Sequence, residues 1–278
     1  MTLNKRALFQ LFKYAVYTLL AMNIYWFFVE EHAAVKTQFA NGLGLFDVIE
    51  AYVATIDTAA WVILLLMFEL ETFVLDDEQF TRPVTWSLHG LRFICYAFIV
   101  YACYGYFATL FTQLDITTLA NVSNLCQLAD GQWSYATTLD EYSVISAINC
   151  TELSTANSFL RFGETYSVVD AGGYKDILVL ALVDVINAVV WIVVVLVLEM
   201  DVRLQEKDKL EGRILTISTV LKYILYSILL LAAVYWGFKG DFVDFWDAFL
   251  WLVAFFFIEL NVIEWRHEEA EEKAALAT

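Results

Sequence analysis

VVWIVVVLVLEMDVRLQ, residues 189–205, is an apolar run long enough for a bilayer, and it closes on two acids, Glu199 and Asp201. The same ending occurs twice more. FELET closes one run at Glu69 and Glu71, and FIELN closes another at Glu259 and Asn261. Upstream of each ending the spacing repeats without gaps: Asp57, Trp61, Glu69, Glu71; then Asn187, Trp191, Glu199, Asp201; then Asp247, Trp251, Glu259, Asn261. Shared residues in a shared order mark an internal repeat.

The runs that precede these also agree. KYAVY carries Lys13 and Tyr17, RFICY carries Arg92 and Tyr96, and KYILY carries Lys222 and Tyr226. The step from Glu69 to Arg92 equals the step from Glu199 to Lys222. The unit is therefore a two-helix hairpin. The sequence predicts an all-α integral membrane protein with six transmembrane helices, built as three hairpin repeats with pseudo-threefold symmetry. The boundaries read as 1–85 for the first hairpin with its inner linker and 86–213 for the second. The third occupies 214–266, and 267–278 is an acidic tail.

Composition fits a membrane chain. Of 278 residues, 60% are hydrophobic, and the mean hydropathy is +0.63. Spans are expected near 8–29, 46–70, 86–112, 176–200, 214–237 and 242–263. The first run is long enough to cross and has no small-residue cleavage site, so it is expected to remain as an anchor. Of the 16 basic residues, only Lys36, Arg161, Lys175 and Lys239 fall on the outer side if the N-terminus is cytoplasmic. The bias places both termini in the cytoplasm of a cell with this chain in its plasma or inner membrane. The single proline, Pro83, suits the first turn of the third span. With glycine scarce as well, the spans read as long and unbroken.

A formal charge of −17 disfavours nucleic acid, whose phosphates want the opposite sign. Segment 113–175 interrupts the second hairpin. It is rich in Ser, Thr, Asn and Asp, with the turn signals ADGQ and DAGG, and is too long for a plain connection. A small outer subdomain is expected there, closed by a disulfide between Cys126 and Cys150 on the oxidising side. Asn121 and Asn149 begin glycosylation sequons, which matter only in a eukaryotic source.

Intramembrane charges need partners. Lys13, Arg92 and Lys222 lie at the depth of Glu69, Glu199 and Glu259, which predicts three structural ion pairs, Lys13–Glu69, Arg92–Glu199 and Lys222–Glu259, or the equivalents between neighbouring hairpins. At about 100° per residue the second acid of each ending faces away from the first. Asp57, Trp61 and Glu71 then share one line, as do Asn187, Trp191 and Asp201, and Asp247, Trp251 and Asn261. Glu50 extends the line outward, with Asp184 and Asp244 beside it. Asp57, Asn187 and Asp247 lie about 18 Å above the inner glutamates. Such a stripe either lines a cation or proton pathway, with Trp61, Trp191 and Trp251 as a constriction, or is hydrogen-bonded within the bundle.

His32, His89 and His267 fall in expected loops or tails, so no metal or haem site is expected and no cofactor is implied. No phosphate loop, zincin motif or nucleophile elbow occurs, and an enzyme is not expected. The repeat number resembles that of mitochondrial carriers, but the proline-centred signature of their odd helices is missing, and the chain is not assigned to them. The leading expectation is a cation or proton channel lined by acids of the even-numbered helices. The alternative is a non-catalytic accessory or scaffold subunit. The expected partners are membrane lipids, with further copies of the chain or a larger membrane complex.

Overall fold

A computed structural model describes residues 2–39, 43–44, 47–71, 75, 79, 81–129, 132–205 and 209–257. The chain is mostly helical: α1 (Thr2–Gln38), α2 (Val48–Ala51), α3 (Val53–Glu69), α4 (Arg82–Gln113), α5 (Cys150–Leu153), α6 (Ala171–Gln205) and α7 (Gly212–Lys239). Residues 242–257 are also helical. Four helical stretches are long and apolar enough to cross a membrane: Ala7–Gln38, Arg82–Gln113, Ala171–Gln205 and Gly212–Lys239.

Local chemistry accounts for several boundaries. Pro83 lies in the first turn of α4, where its missing N–H costs nothing, and Thr81 precedes it in an extended conformation. α7 stops at Gly240, whose φ of 85° is the left-handed cap that glycine tolerates best. α1 runs well past the expected end of the first span near residue 29, because VEEHAAVKTQ contains no helix breaker.

The expected second span is interrupted. Tyr52 has φ −135° and ψ 36°, which separates the short α2 from the 17-residue α3. The reading of unbroken spans fails here. No proline or glycine marks the site, and a tertiary contact described below caps the start of α3.

The chain divides into two compact units, residues 24–210 and residues 1–23 with 211–278. In the first, Ala60, Cys95 and Ile99 form a buried cluster with Trp61, Leu64, Tyr96 and Ile192 packed against it, joining α3, α4 and α6. Burial of such apolar surface contributes roughly 25 cal/mol per Å² against water, but between membrane helices close packing takes over that role.

The same unit carries segment 113–175, and there the chain departs from an all-helical reading. Strands β1 (Ile116–Thr118), β2 (Ser134–Ala136), β3 (Tyr142–Val144), β4 (Leu160–Phe162) and β5 (Ser167–Val169) form one sheet in the order β1-β4-β5-β2-β3. Neighbours are antiparallel except β2 and β5, which run parallel with Ser134 opposite Ser167. Each strand has three residues, too few for a period-2 pattern to show. Leu125, Ile145, Cys150, Phe159 and Val168 form its core. Cys126 and Cys150 are joined by a disulfide.

The second unit is built from the start of α1, from α7 and from the helix over 242–257. Leu20 on α1 and Leu229 and Trp236 on α7 are almost completely buried. Phe257 receives the rings of Phe9 and Phe12 edge-on, with centroids 5.0 and 5.6 Å away.

Candidate functional site

The acids of the first hairpin meet one neighbour. Glu50 Oε1 accepts from the Thr112 hydroxyl at 2.9 Å, and Asp57 Oδ2 lies 3.5 Å from the Tyr106 hydroxyl. At the other end Glu71 Oε2 pairs with Arg92 at 2.5 Å. Thr112, Tyr106 and Arg92 all belong to α4. The stripe therefore faces the next odd helix and forms a polar seam with it. Gly105 permits close approach: a Cβ there would lie 2.9 Å from Val53 Cγ2 and 3.1 Å from the Ile49 carbonyl oxygen.

Arg92 does not take Glu199, its expected partner. Glu199 is bonded at 2.6 Å to Arg203 on its own helix, one turn on. The reason lies partly in the end of α3. Leu70 is still helical, with φ −61° and ψ −46°, so Glu71 keeps the face that carries Asp57, and that face meets α4. Glu71 takes Arg92 there, while Glu69 is buried at 5% exposure.

The tryptophans one turn inward come together in this unit. The Trp61 and Trp191 rings lie 6.5 Å apart, tilted by 55°. Asp201 is buried and Asp184 half-buried on α6. Asn187, one turn before Trp191, has a buried Oδ1 that accepts no hydrogen bond among the described residues. These matched positions of α3 and α6 thus meet at the tryptophan layer, although their polar groups are bonded differently.

In the other unit Asp247 plays the corresponding part. Its Oδ1 accepts from Asn23 Nδ2 at 2.7 Å, and Trp251 donates a second hydrogen bond. Asp244 is half-buried one turn earlier, and the Trp251 and Phe255 rings lie 6.2 Å apart, tilted by 52°. Lys13 is fully buried, with its ammonium 5.0 Å from the Tyr14 ring, and Lys222 is buried on α7. Glu259 and Asn261, expected on the inner rim of the third hairpin, lie outside the described residues.

The sequence reading missed Glu31. It is buried on α1 and reaches the start of α3: Oε1 accepts from Ala54 N–H at 2.7 Å, and Oε2 accepts from Thr55 N–H at 3.1 Å and its hydroxyl at 2.5 Å. These N–H groups are the orphan donors of a helix beginning, and an ionised carboxylate suits that positive end. Beside it, His32 Nδ1 is 3.0 Å from the Tyr52 hydroxyl, and Phe28 stacks on Tyr52 at 5.7 Å. The cluster Glu30-Glu31-His32 reads as the end of a span, which hid these residues. Only the absence of a helix breaker before Gln38 pointed to them.

The chain matches no family model, no curated protein and no solved structure.

Proposed function

We propose that this chain is a six-span membrane protein of three hairpins related by a pseudo-threefold axis, and that it carries protons or small cations across the bilayer. The supporting observation is the seam of α3 and α4. Glu50 with Thr112, Asp57 with Tyr106 and Glu71 with Arg92 line it from one end to the other. Along an ideal helix the steps between these acids are about 10 and 21 Å, most of a bilayer's apolar thickness. Charged groups at such depths are costly, and they are kept where they line an ion or proton path.

The chemistry suits protons best. A carboxyl beside a hydroxyl takes up and releases a proton while keeping a hydrogen bond, so no bare charge is left in hydrocarbon. Asp57 with Tyr106 has that form. Asp247, bonded to the neutral Asn23 and Trp251, has it at the matched position of the third hairpin. Both termini lie in the cytoplasm in this reading, and Trp61 and Trp191 form the narrowest layer.

The test is proton and cation flux into liposomes holding the purified chain. Wild type should conduct, and Asp57→Asn with Asp247→Asn together should lose most of the flux. Unchanged flux in the double variant overturns the assignment. The second reading, a non-conducting accessory subunit, draws on the contact of Trp61 with Trp191, which fills the layer between α3 and α6. It predicts no wild-type flux, and native mass measurement after gentle extraction would then find other chains bound in fixed ratio.

A further inference from the structure

We propose that the interruption of the second span at Tyr52 is a two-state joint whose setting is chosen by the charge on Glu31. The inference stands whether or not the chain conducts.

The broken state is the one described here. All three partners of Glu31, the N–H groups of Ala54 and Thr55 and the Thr55 hydroxyl, are used as donors. The carboxylate is therefore an acceptor only, which fits its ionised form. It substitutes for backbone acceptors. In an uninterrupted helix the N–H groups of Ala54 and Thr55 would turn to the carbonyls of Glu50 and Ala51, four residues back. Protonation of Glu31 removes the charge that favours a helix beginning and places a hydrogen on one oxygen. The backbone carbonyls are then the better acceptors. The protonated state joins α2 to α3 in one continuous helix.

The change asked of the chain is small. The residues flanking the joint are already helical, and Tyr52 alone has to move from φ −135°, ψ 36° to helical values. Gly105 of α4 puts no side chain against the turn of Ile49 and Val53. The Tyr52 ring, held by Phe28 and His32, moves with its backbone. The charged and titratable groups around the joint are few. His32 comes from α1, Glu50 from α2 is turned to Thr112, Tyr106 from α4 is turned to Asp57, and Asp140 from the outer segment acts on Glu31 as a like charge.

The experiment is a pH titration of the full chain in lipid nanodiscs, with carbon-13 at the Glu31 carboxyl and at the Cα atoms of Tyr52 and Val53. As pH falls, the carboxyl should titrate, and both Cα shifts should move to helical values in the same step. Glu31→Gln should show the helical shifts at every pH, and His32→Gln should keep the wild-type step. Tyr52 shifts that stay fixed while Glu31 titrates overturn the proposal. So does a Glu31 carboxyl that never titrates while the protein stays folded. So does a Glu31→Gln chain with the broken pattern, or a step that vanishes in His32→Gln. If Glu31→Gln does not fold, the wild-type titration decides alone.

Discussion

Arg92 of α4 pairs with Glu71 at the end of α3, across the seam between two consecutive helices and not within the second hairpin. Side-chain exposures of 35% and 23% place the pair near the bundle surface, where such bonds contribute about 1 kcal/mol or less. A double-mutant cycle with Arg92→Ala and Glu71→Gln should give a favourable coupling of that size in thermal unfolding. The cycle of Arg92→Ala with Glu199→Gln should give a smaller one. The reverse order would mean that the seam is wrongly paired.

Gly105 sets the distance between α4 and the interrupted span. A methyl group there meets Val53 Cγ2 at 2.9 Å and the Ile49 carbonyl at 3.1 Å. The side chain can yield but the backbone oxygen cannot. Gly105→Ala should destabilise the chain by about 1–3 kcal/mol, the usual cost of overpacking. Adding Val53→Ala should recover only part of that loss. Full recovery would show that the carbonyl has room to move.

Asp170 ties the sheet to α6. Its Oδ1 accepts from the N–H groups of Gly172 and Gly173 at 2.7 and 2.9 Å, and its Oδ2 from the hydroxyls of Tyr135 and Thr155 at 2.7 and 3.1 Å. Burial alone would raise its pKa. The hydrogen bonds from Gly173, Tyr135, Gly172 and Thr155 outweigh burial and hold the carboxyl below its usual range. A depressed pKa gives stability that is full above the unfolded value, about 4, and is lost as pH falls through the folded value. Asp170→Ala should therefore cost about 1 kcal/mol at neutral pH. Its difference from wild type should shrink in melts below pH 4, a window in which ordinary carboxylates protonate.

Tyr135 behaves in the opposite sense. Burial first, and then the Asp170 carboxylate it bonds to, push its phenol up to about 12. Stability from the neutral phenol is complete below the ordinary tyrosine value of about 10 and is lost as pH rises through about 12. An ultraviolet titration should lose one late-ionising tyrosine in Tyr135→Phe, while Tyr142, which burial also holds up, stays late in both chains.

The Cys126–Cys150 bond closes a segment with a sequence separation of 24. On loop-closure grounds its removal should cost about 3 kcal/mol. Cys126→Ser with Cys150→Ser should lower the unfolding temperature of the outer segment, read from the near-ultraviolet signal of Trp133 and Tyr166, which pack edge to face. An unchanged melt would mean that the core around Leu125 and Phe159 holds the segment without the bond.

The apolar runs and caps were legible because they depend on neighbours in sequence. Pro83 marked the start of α4, and two outer cysteines left one pairing to consider. Two features were not legible. The break at Tyr52 is capped by Glu31, which lies 21 residues earlier and arrives only on folding. The sheet is assembled from strands shorter than any periodic signal, and its parallel pair joins residues more than thirty apart. Of the stripe, sequence gave the acids and their order along the helix. It did not give their direction, because a helical face says which residues look the same way and not what they look at.

The sheet has almost no slack where it meets the helices. Leu114 and Asp115 alone separate α4 from β1, and Asp170 alone separates β5 from α6. Such short joints make the sheet a rigid extension of two long helices, so a tilt between α4 and α6 is passed to β1 and β5 as shear across their shared neighbour β4. A reporter fixed on that sheet would read the inclination of helices it never touches.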